Sequence, residues 1–333
     1  MSDSNGMGSR QSWPELILSA RPFLGATSRS KETALDYLVQ FSRPENSAAV
    51  VTAAVRQGVG AIAPMNDTTL LQALDLARAG CRLQVCPIIP NALGYVRDAT
   101  DHGMIGAGLK HLRRLSLGEM LGIGLRGLTD LRRIMVRDFR ALLPILIDVE
   151  MAAFKRFQPR LVLLHGQVTD IAVALGNKEA LRIFADVVRR RFGAEPGLVT
   201  NNFGALLKSL GQWRIDIDVI VAPFNPKGFL MKPTKQVCEA LLKETDKYII
   251  ADRIETAGAD SLKDAFQYLR GLGIASAMVE IGAAADVDSV VASRHNGGTG
   301  TSGGGLHLPQ GSGGRVQSAG RGPSTESARA SEG

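Results

Sequence analysis

Eight short runs of Val, Ile, Leu and Ala recur along the chain, at residues 16–19, 59–64, 83–89, 161–164, 198–201, 219–222, 248–251 and 277–281. Each of the first seven is followed by a segment with helical spacing. The runs are apolar on both faces, which is the pattern of parallel strands buried beneath helices. Eight strand–helix units in succession specify an α/β fold of the (β/α)8 barrel type. The rival is an open doubly wound sheet, which carries a Gly-rich G-x-G-x-x-G turn after its first strand. Here the first run leads into Pro22-Phe23-Leu24-Gly25-Ala26-Thr27-Ser28-Arg29, which lacks that spacing.

Helical patterns are read at 31–41, 47–56, 67–79, 138–157, 177–192, 205–210, 235–244 and 262–272, with Asp67 placed to cap the third. Between the third and fourth strands the connection is much longer than one crossover needs. This insertion, about 92–137, contains eight glycines, including Gly94, Gly103, Gly118 and Gly127. Such a connection either covers the barrel mouth, packs on a second subunit in a homo-oligomer, or is a surface excursion. From residue 294 onward Gly, Ser, Thr and Arg dominate, a composition that cannot bury enough surface to offset ordering entropy. Residues 1–12 read similarly, so the barrel domain is expected at 13–293, flanked by a disordered start and a disordered tail at 294–333.

Composition narrows the function classes. The 333 residues are 45% hydrophobic and 21% charged, enough for one large core. No uncharged apolar run reaches the ~18 residues of a membrane span. The most apolar stretch, 142–154, is interrupted by Asp148 and Glu150. The polar first residues lack the apolar core of a secretory signal. The three cysteines, Cys81, Cys86 and Cys238, have no metal-ligand spacing, and a reducing cytoplasm is the expected compartment. The net charge of +7 draws on Arg113, Arg114, Arg126, Arg132, Arg133, Arg137 and Arg140. Aromatics are only 5%, and Phe139 alone falls in that basic segment, so a solvated helix face is expected rather than a nucleic-acid surface.

In such a barrel, chemistry sits where strands end and βα loops begin. That rule selects Arg21, Asn66, Asp67, Asn91, His165, Asn201, Asn202, Asn225, Lys227, Asp252, Arg253, Glu255 and Glu280. His165 ends Leu161-Val162-Leu163-Leu164. An imidazole there faces the mouth, suited to proton donation or to orienting a carbonyl. Asn201 and Asn202 either fix a polar ligand or cap the next helix. Lys227, in Asn225-Pro226-Lys227-Gly228, forms a Schiff base if desolvated and is otherwise an exposed turn lysine. Asp252 and Arg253 read as an ion pair or a substrate-orienting pair. Glu280 and Asp252 are candidate metal ligands beside His165, although no local spacing joins them, and no metal site is expected. Gly282 opens the last loop, where backbone amides hold a phosphate in many barrels.

Three of these segments share a pattern. Leu161-Val162-Leu163-Leu164-His165 resembles the fourth strand of the aldo-keto reductases. Val199-Thr200-Asn201-Asn202-Phe203, with Leu206-Leu207, resembles their fifth-strand Ser-Asn-Phe motif. Ala222-Pro223-Phe224-Asn225-Pro226-Lys227-Gly228 resembles their sixth-strand turn. The resemblance spans residues 161–282. It implies that His165 orients the carbonyl and that Asn201 or Asn202 holds a nicotinamide carboxamide, making NAD(P)H the implied cofactor. The chain departs from the pattern elsewhere. Ala63 stands where the family has an aspartate, no tyrosine follows, the third strand ends in Pro87-Ile88-Ile89-Pro90 without the lysine, and Glu280 replaces a phosphate-binding residue. The turn at 225–231, with Ala257-Gly258 and Tyr268-Leu269, also resembles uncharacterised reductase-like barrels.

The expectation is therefore a barrel enzyme acting on a small polar or carbonyl-containing metabolite, of oxidoreductase type, with His165 as proton donor or orienter. The alternatives are a lyase or isomerase using Lys227 or a metal at Glu280, and a non-catalytic barrel that binds a ligand or partner through the basic insertion.

Overall fold

The computed structural model describes residues 13–27, 30–91, 139–255 and 262–295. The expected insertion, the first twelve residues and nearly all of the tail lie outside the described residues.

The eight apolar runs form strands β1 (Leu16–Ser19), β2 (Ala61–Ala63), β3 (Ile88–Ile89), β4 (Leu161–Leu164), β5 (Glu195–Val199), β6 (Val219–Pro223), β7 (Tyr248–Asp252) and β8 (Ser276–Val279). All pair in parallel, in the order β2-β1-β8-β7-β6-β5-β4-β3. The remaining gap, between β2 and β3, is joined by a parallel bridge from Ile62 to Val85. Ile62 N donates to Gln84 O (3.0 Å), Cys86 N to Ile62 O (2.8 Å) and Ile88 N to Pro64 O (2.8 Å), so the ring closes.

The third strand is shorter than the expected 83–89. Pro87 and Pro90 have no N–H to give to a ladder, so regular pairing is confined to the two residues between them.

The helices are α1 (Lys31–Gln40), α2 (Pro44–Arg56), α3 (Thr68–Arg78), α4 (Phe139–Ala152), α5 (Gly166–Ala174), α6 (Lys178–Phe192), α7 (Phe203–Trp213), α8 (Lys235–Glu244), α9 (Leu262–Gly271) and α10 (Val287–His295). Their starts follow local chemistry. Ser30, Asp67, Asn177, Asn202 and Thr234 each accept a backbone N–H of the first turn, and Pro44 opens α2. Two helices depart from expectation. α5 follows β4 at once, and α10, Val287–His295, falls where no helical pattern is read.

Strand alternation sorts the side chains into two cores. Ile17, Ala63, Leu163, Val221, Ile250 and Met278 belong to the packed interior of the ring. Their neighbours Leu18, Ile62, Val162, Leu164, Ile220 and Ala251 face the helices and join a second, larger core. The interior is filled rather than hollow, as in other barrels of eight strands. Gly197 on β5 makes room for it, because a Cβ there would lie 2.7 Å from a methyl of Leu163. At the amino end, Tyr248 Oη and Ser276 Oγ are 2.6 Å apart, and Ser276 Oγ donates to Pro14 O (2.7 Å).

Candidate functional site at the carboxyl ends of the strands

The same alternation, continued to the strand ends, aims a polar set into the mouth. Leu161 and Leu163 are followed at the same parity by His165, Ile250 by Asp252, and Met278 by Glu280. Arg21 lies two residues beyond Ser19, at the start of a short 3-10 turn, Pro22–Leu24.

Arg21 joins the ends of three strands. Its Nη1 and Nη2 donate to Asp252 Oδ2 and Oδ1, both at 2.7 Å, and its Nε donates to Glu280 Oε1 at 2.8 Å. Thr27 Oγ1 donates to the other Glu280 oxygen at 2.7 Å. The Asp252 and Glu280 side chains are only 7% and 6% exposed, so these are buried, charge-assisted bonds. Burial alone would raise the Asp252 carboxyl pKa. The Arg21 fork outweighs it and holds the group below the usual carboxylate range. Burial likewise opposes the Arg21 charge, and the two carboxylates override it, holding the guanidinium above its ordinary value.

Arg253 follows directly with φ +49, a left-handed backbone that a side chain of this size adopts at a cost. Its Nε lies 3.9 Å from Asp252 Oδ2, so a second guanidinium stands over the same carboxylate. Burial lowers its pKa first and Arg21 lowers it further, with Asp252 and Glu280 opposing.

His165 is the N-cap of α5. Its Nδ1 accepts the N–H of Gln167 at 3.3 Å, and its own backbone N–H donates to Ile89 O at 2.7 Å. An imidazole whose Nδ1 is an acceptor carries its proton on Nε2 when neutral. Burial lowers the His165 pKa, with Asp170 pulling the other way, which favours that neutral form. The residue therefore presents an Nε2–H donor.

Asp170, on the first turns of α5, ties this helix to the end of β5. It accepts from Thr200 Oγ1 (2.5 Å) and Asn201 N (3.1 Å), while Thr200 Oγ1 accepts from Asn202 N (2.8 Å). Of the two asparagines, Asn202 caps α7 through Ala205 N (3.3 Å). Asn201 is half-buried, and its carboxamide takes no hydrogen bond among the described residues.

Other strand-end residues are engaged within the scaffold. Asn225 is fully buried and staples its own turn, donating to Phe229 O (2.9 Å) and accepting from Phe229 N (2.8 Å). Lys227 is exposed on that turn. Asp67 caps α3 through Leu70 N, and Asn91 Nδ2 donates to Asn66 O (3.0 Å). Glu255 is half-buried beyond β7. Gly282 faces Tyr37 of α1, whose hydroxyl would overlap any Cβ there, and its carbonyl accepts from Gln40 Nε2 (2.7 Å). The space beside Gly282 is thus filled by α1.

Sequence reasoning does not single out Thr27, Asp170 or Thr200. Asp170 sits in a helix, and Thr27 in a loop, where no periodicity points to a partner. Among the described residues no group of three His, Cys, Asp or Glu is placed to hold a metal ion. A crevice of about 370 Å³ lies at the opposite, amino end of the ring, between Trp13, Gly60, Val85, Phe157 and Arg160.

No family model matches the chain, and no curated relative does. Solved structures do. A protein from Pseudomonas aeruginosa described as an aldo-keto reductase superposes with a TM-score of 0.51 at 15% identity, covering 84% of this chain and 88% of the other. A second structure from the same organism, also described as an aldo-keto reductase, gives 0.49 at 13% identity over 84% and 89%. At such identities the likeness is one of fold, and it agrees with the closed eight-stranded ring. No helix among the described residues is long and apolar enough to cross a membrane.

The resemblance of residues 161–282 to the aldo-keto reductases implies a nicotinamide cofactor, and the residues at the strand ends fit only part of it. The Asn201 carboxamide suits the nicotinamide amide. The phosphate-bearing half does not fit. Glu280 presents a carboxylate at the end of β8, and Tyr37 and Gln40 occupy the space beside Gly282.

Proposed function

We propose that this barrel is an enzyme acting on a small polar carbonyl compound, and that His165 polarises the carbonyl through its Nε2–H. The observation carrying this reading is the Gln167 N to His165 Nδ1 bond at the end of β4. It favours the tautomer in which a neutral imidazole carries its donor on Nε2, and we take that N–H to face the mouth. Such a donor strengthens as negative charge develops on the carbonyl oxygen. The Asp170–Thr200 pair acts on the reaction indirectly, by holding α5 and the Asn201 backbone in register with β5. Asn201 supplies a second amide for a polar substituent.

A polarised carbonyl undergoes either reduction or proton exchange at its α carbon. The first is supported by the fold neighbour with a TM-score of 0.51, which is described as an aldo-keto reductase, and would make this an oxidoreductase of divergent type. The misfit at Glu280 and Gly282 argues against the usual seating of a phosphate-bearing nicotinamide, and it keeps proton exchange open as the second outcome. Schiff-base chemistry gains no support, because Lys227 is exposed rather than desolvated.

The test is a panel of small aldehydes, ketones and oxoacids. Consumption of NADH and NADPH is followed by absorbance, and exchange of α protons in D2O by NMR. We expect one of the two reactions, reduced about 10²–10⁴-fold in His165→Leu and less in His165→Gln, which retains a donor. Equal rates in wild type and His165→Leu across every carbonyl turned over would refute the role of His165.

A further inference from the structure

We infer that the crevice at the amino end of the ring is a second binding site, and that it takes a small aromatic carboxylate. This does not depend on the carbonyl reading, because the crevice and the mouth lie at opposite ends of the strands.

The crevice exists because the ladder between β2 and β3 stops early. Ile62 N donates to Gln84 O. A regular parallel ladder would continue with Gly60 N donating to Arg82 O. Instead Gly60 N donates to Leu16 O of β1 (3.0 Å). Gly60 is drawn so close to the entry to β1 that a Cβ there would lie 2.5 Å from Pro14 Cβ. The chains leading into β2 and β3 therefore part below the Ile62–Val85 bridge, and the opening is the crevice of about 370 Å³. A cavity of this size suits a small molecule. Its walls draw on both cores, with Trp13 and Cys86 from the ring interior and Val85 and Phe157 from the layer beneath the helices. A flat apolar body finds apolar surface on either side.

The lining is also positively charged. Arg160 is its one charged residue. It is exposed, and among the described residues its guanidinium has no hydrogen bond or ion pair. The neighbouring carboxylates are turned elsewhere, Glu15 to Arg294 (3.5 Å), Asp75 to Arg156 (2.7 Å) and Glu195 to Arg189 (2.9 Å). Burial pushes the Cys86 thiol up to about 12, so it brings no negative charge. Arg78, 5.7 Å from the centroid of the Phe157 ring, adds a second cation at the edge of the crevice. A free guanidinium fork takes a carboxylate by paired hydrogen bonds. Gln84 and Gln158, both exposed at the rim, offer amide donors beside it. A carboxylate on Arg160 with an aromatic ring in the crevice uses both halves of the site.

The experiment titrates the full chain at low salt with phenylacetate, phenylacetamide and acetate, followed by ligand-observed NMR. The proteins are wild type, Arg160→Gln, Gln84→Glu and Lys178→Gln. The last removes an exposed charge from the first turn of α6, at the other end of the ring. We expect wild type to bind phenylacetate about three- to tenfold tighter than phenylacetamide or acetate, since the guanidinium is exposed and partly screened. Arg160→Gln should bring phenylacetate down to the level of phenylacetamide and leave phenylacetamide unchanged. Gln84→Glu keeps Arg160 and adds an acid at the rim, so it should weaken phenylacetate alone. Lys178→Gln should change neither. Equal binding of phenylacetate and phenylacetamide by wild type overturns the inference. So does a preference that survives in both Arg160→Gln and Gln84→Glu, or one that falls as far in Lys178→Gln. Acetate binding as tightly as phenylacetate would remove the apolar half of the site and overturn it too, as would no binding of phenylacetate.

Discussion

Replacing Arg21 by Met should cost the fold about 3–5 kcal/mol at pH 7.5, the range expected when one member of a buried ion pair is removed. The structure sets the scale. Three charge-assisted bonds of 2.7, 2.7 and 2.8 Å disappear. At roughly 1.5–3 kcal/mol each they would total more, but the freed carboxylates stand at the mouth and regain some water. They remain buried enough, at 7% and 6% exposure, that rehydration is incomplete. The chain carries its own control. Arg156 grips Asp75 in a similar fork, at 2.7 and 2.8 Å, with the two side chains 38% and 49% exposed. Breaking that surface pair with Asp75→Asn should cost no more than about 1 kcal/mol. The assay is urea denaturation followed by far-UV circular dichroism, at pH 7.5 and pH 5. The pH dependence has a defined sign. In wild type the Asp252 pKa is depressed, so its contribution is fully present above the unfolded value of about 3.9 and is lost as pH falls through the folded value. Without Arg21, only Arg253 opposes burial, so the Asp252 pKa rises from its wild-type value, and the deficit narrows as the pH falls from 7.5 to 5. A loss below about 1 kcal/mol, or a deficit that widens in acid, would refute the argument that the cluster is a buried network.

Three further outcomes follow from the same geometry. Gly282→Ala should destabilise by about 1–3 kcal/mol through overlap of the new methyl with the Tyr37 hydroxyl; in a double-mutant cycle Tyr37→Leu should recover part of that loss, and strict additivity would count against the clash. Asn225→Ala should cost about 1–3 kcal/mol in urea titrations, because the N–H and C=O of Phe229 both lose their partner; a neutral effect would mean that the turn holds itself. In an NMR titration the His165 imidazole, assigned by its absence in His165→Gln, should protonate below the unperturbed value of about 6.5. Its stabilising contribution is then present above that pH and lost as pH falls through the folded value, and a midpoint at or above 6.5 would contradict the buried, neutral Nε2–H donor.

Much of the fold is legible because it depends on local pattern. The runs at 161–164, 219–222 and 248–251 are strands with ends within a residue or two of expectation, and the 235–244 helix matches residue for residue. Where local chemistry is ambiguous, the reading blurs. The run at 83–89 is apolar enough for a strand, yet its two prolines confine the ladder to Ile88–Ile89. The helix after β4 is hard to read because Ile171 within it and Leu175 just past its end are both exposed, which leaves no clean buried stripe. Asn201 and Asn202 show the limit of residue-type arguments. Both are amides at one strand end, and only the backbone shows that Asn202 caps α7 while Asn201 does not.

Arg21, Asp252 and Glu280 are each selectable as strand-end residues, but nothing local joins them. The bond from Arg21 to Asp252 spans 231 positions and the one to Glu280 spans 259. What brings them together is closure, since β1 pairs with β8 on one side and β2 on the other, and β8 pairs with β7. In an open sheet with the strands in chain order, β1 and β8 would be opposite edges and Arg21 would face water. Its actual exposure of 16% is therefore a consequence of topology. The ion cluster thus depends on the same closure that packs Ile17, Ile250 and Met278 together in the ring interior, and it extends that closure to the working end of the barrel. That coupling is why loss of Arg21 should be felt in the stability of the whole ring and not only at the strand ends it joins.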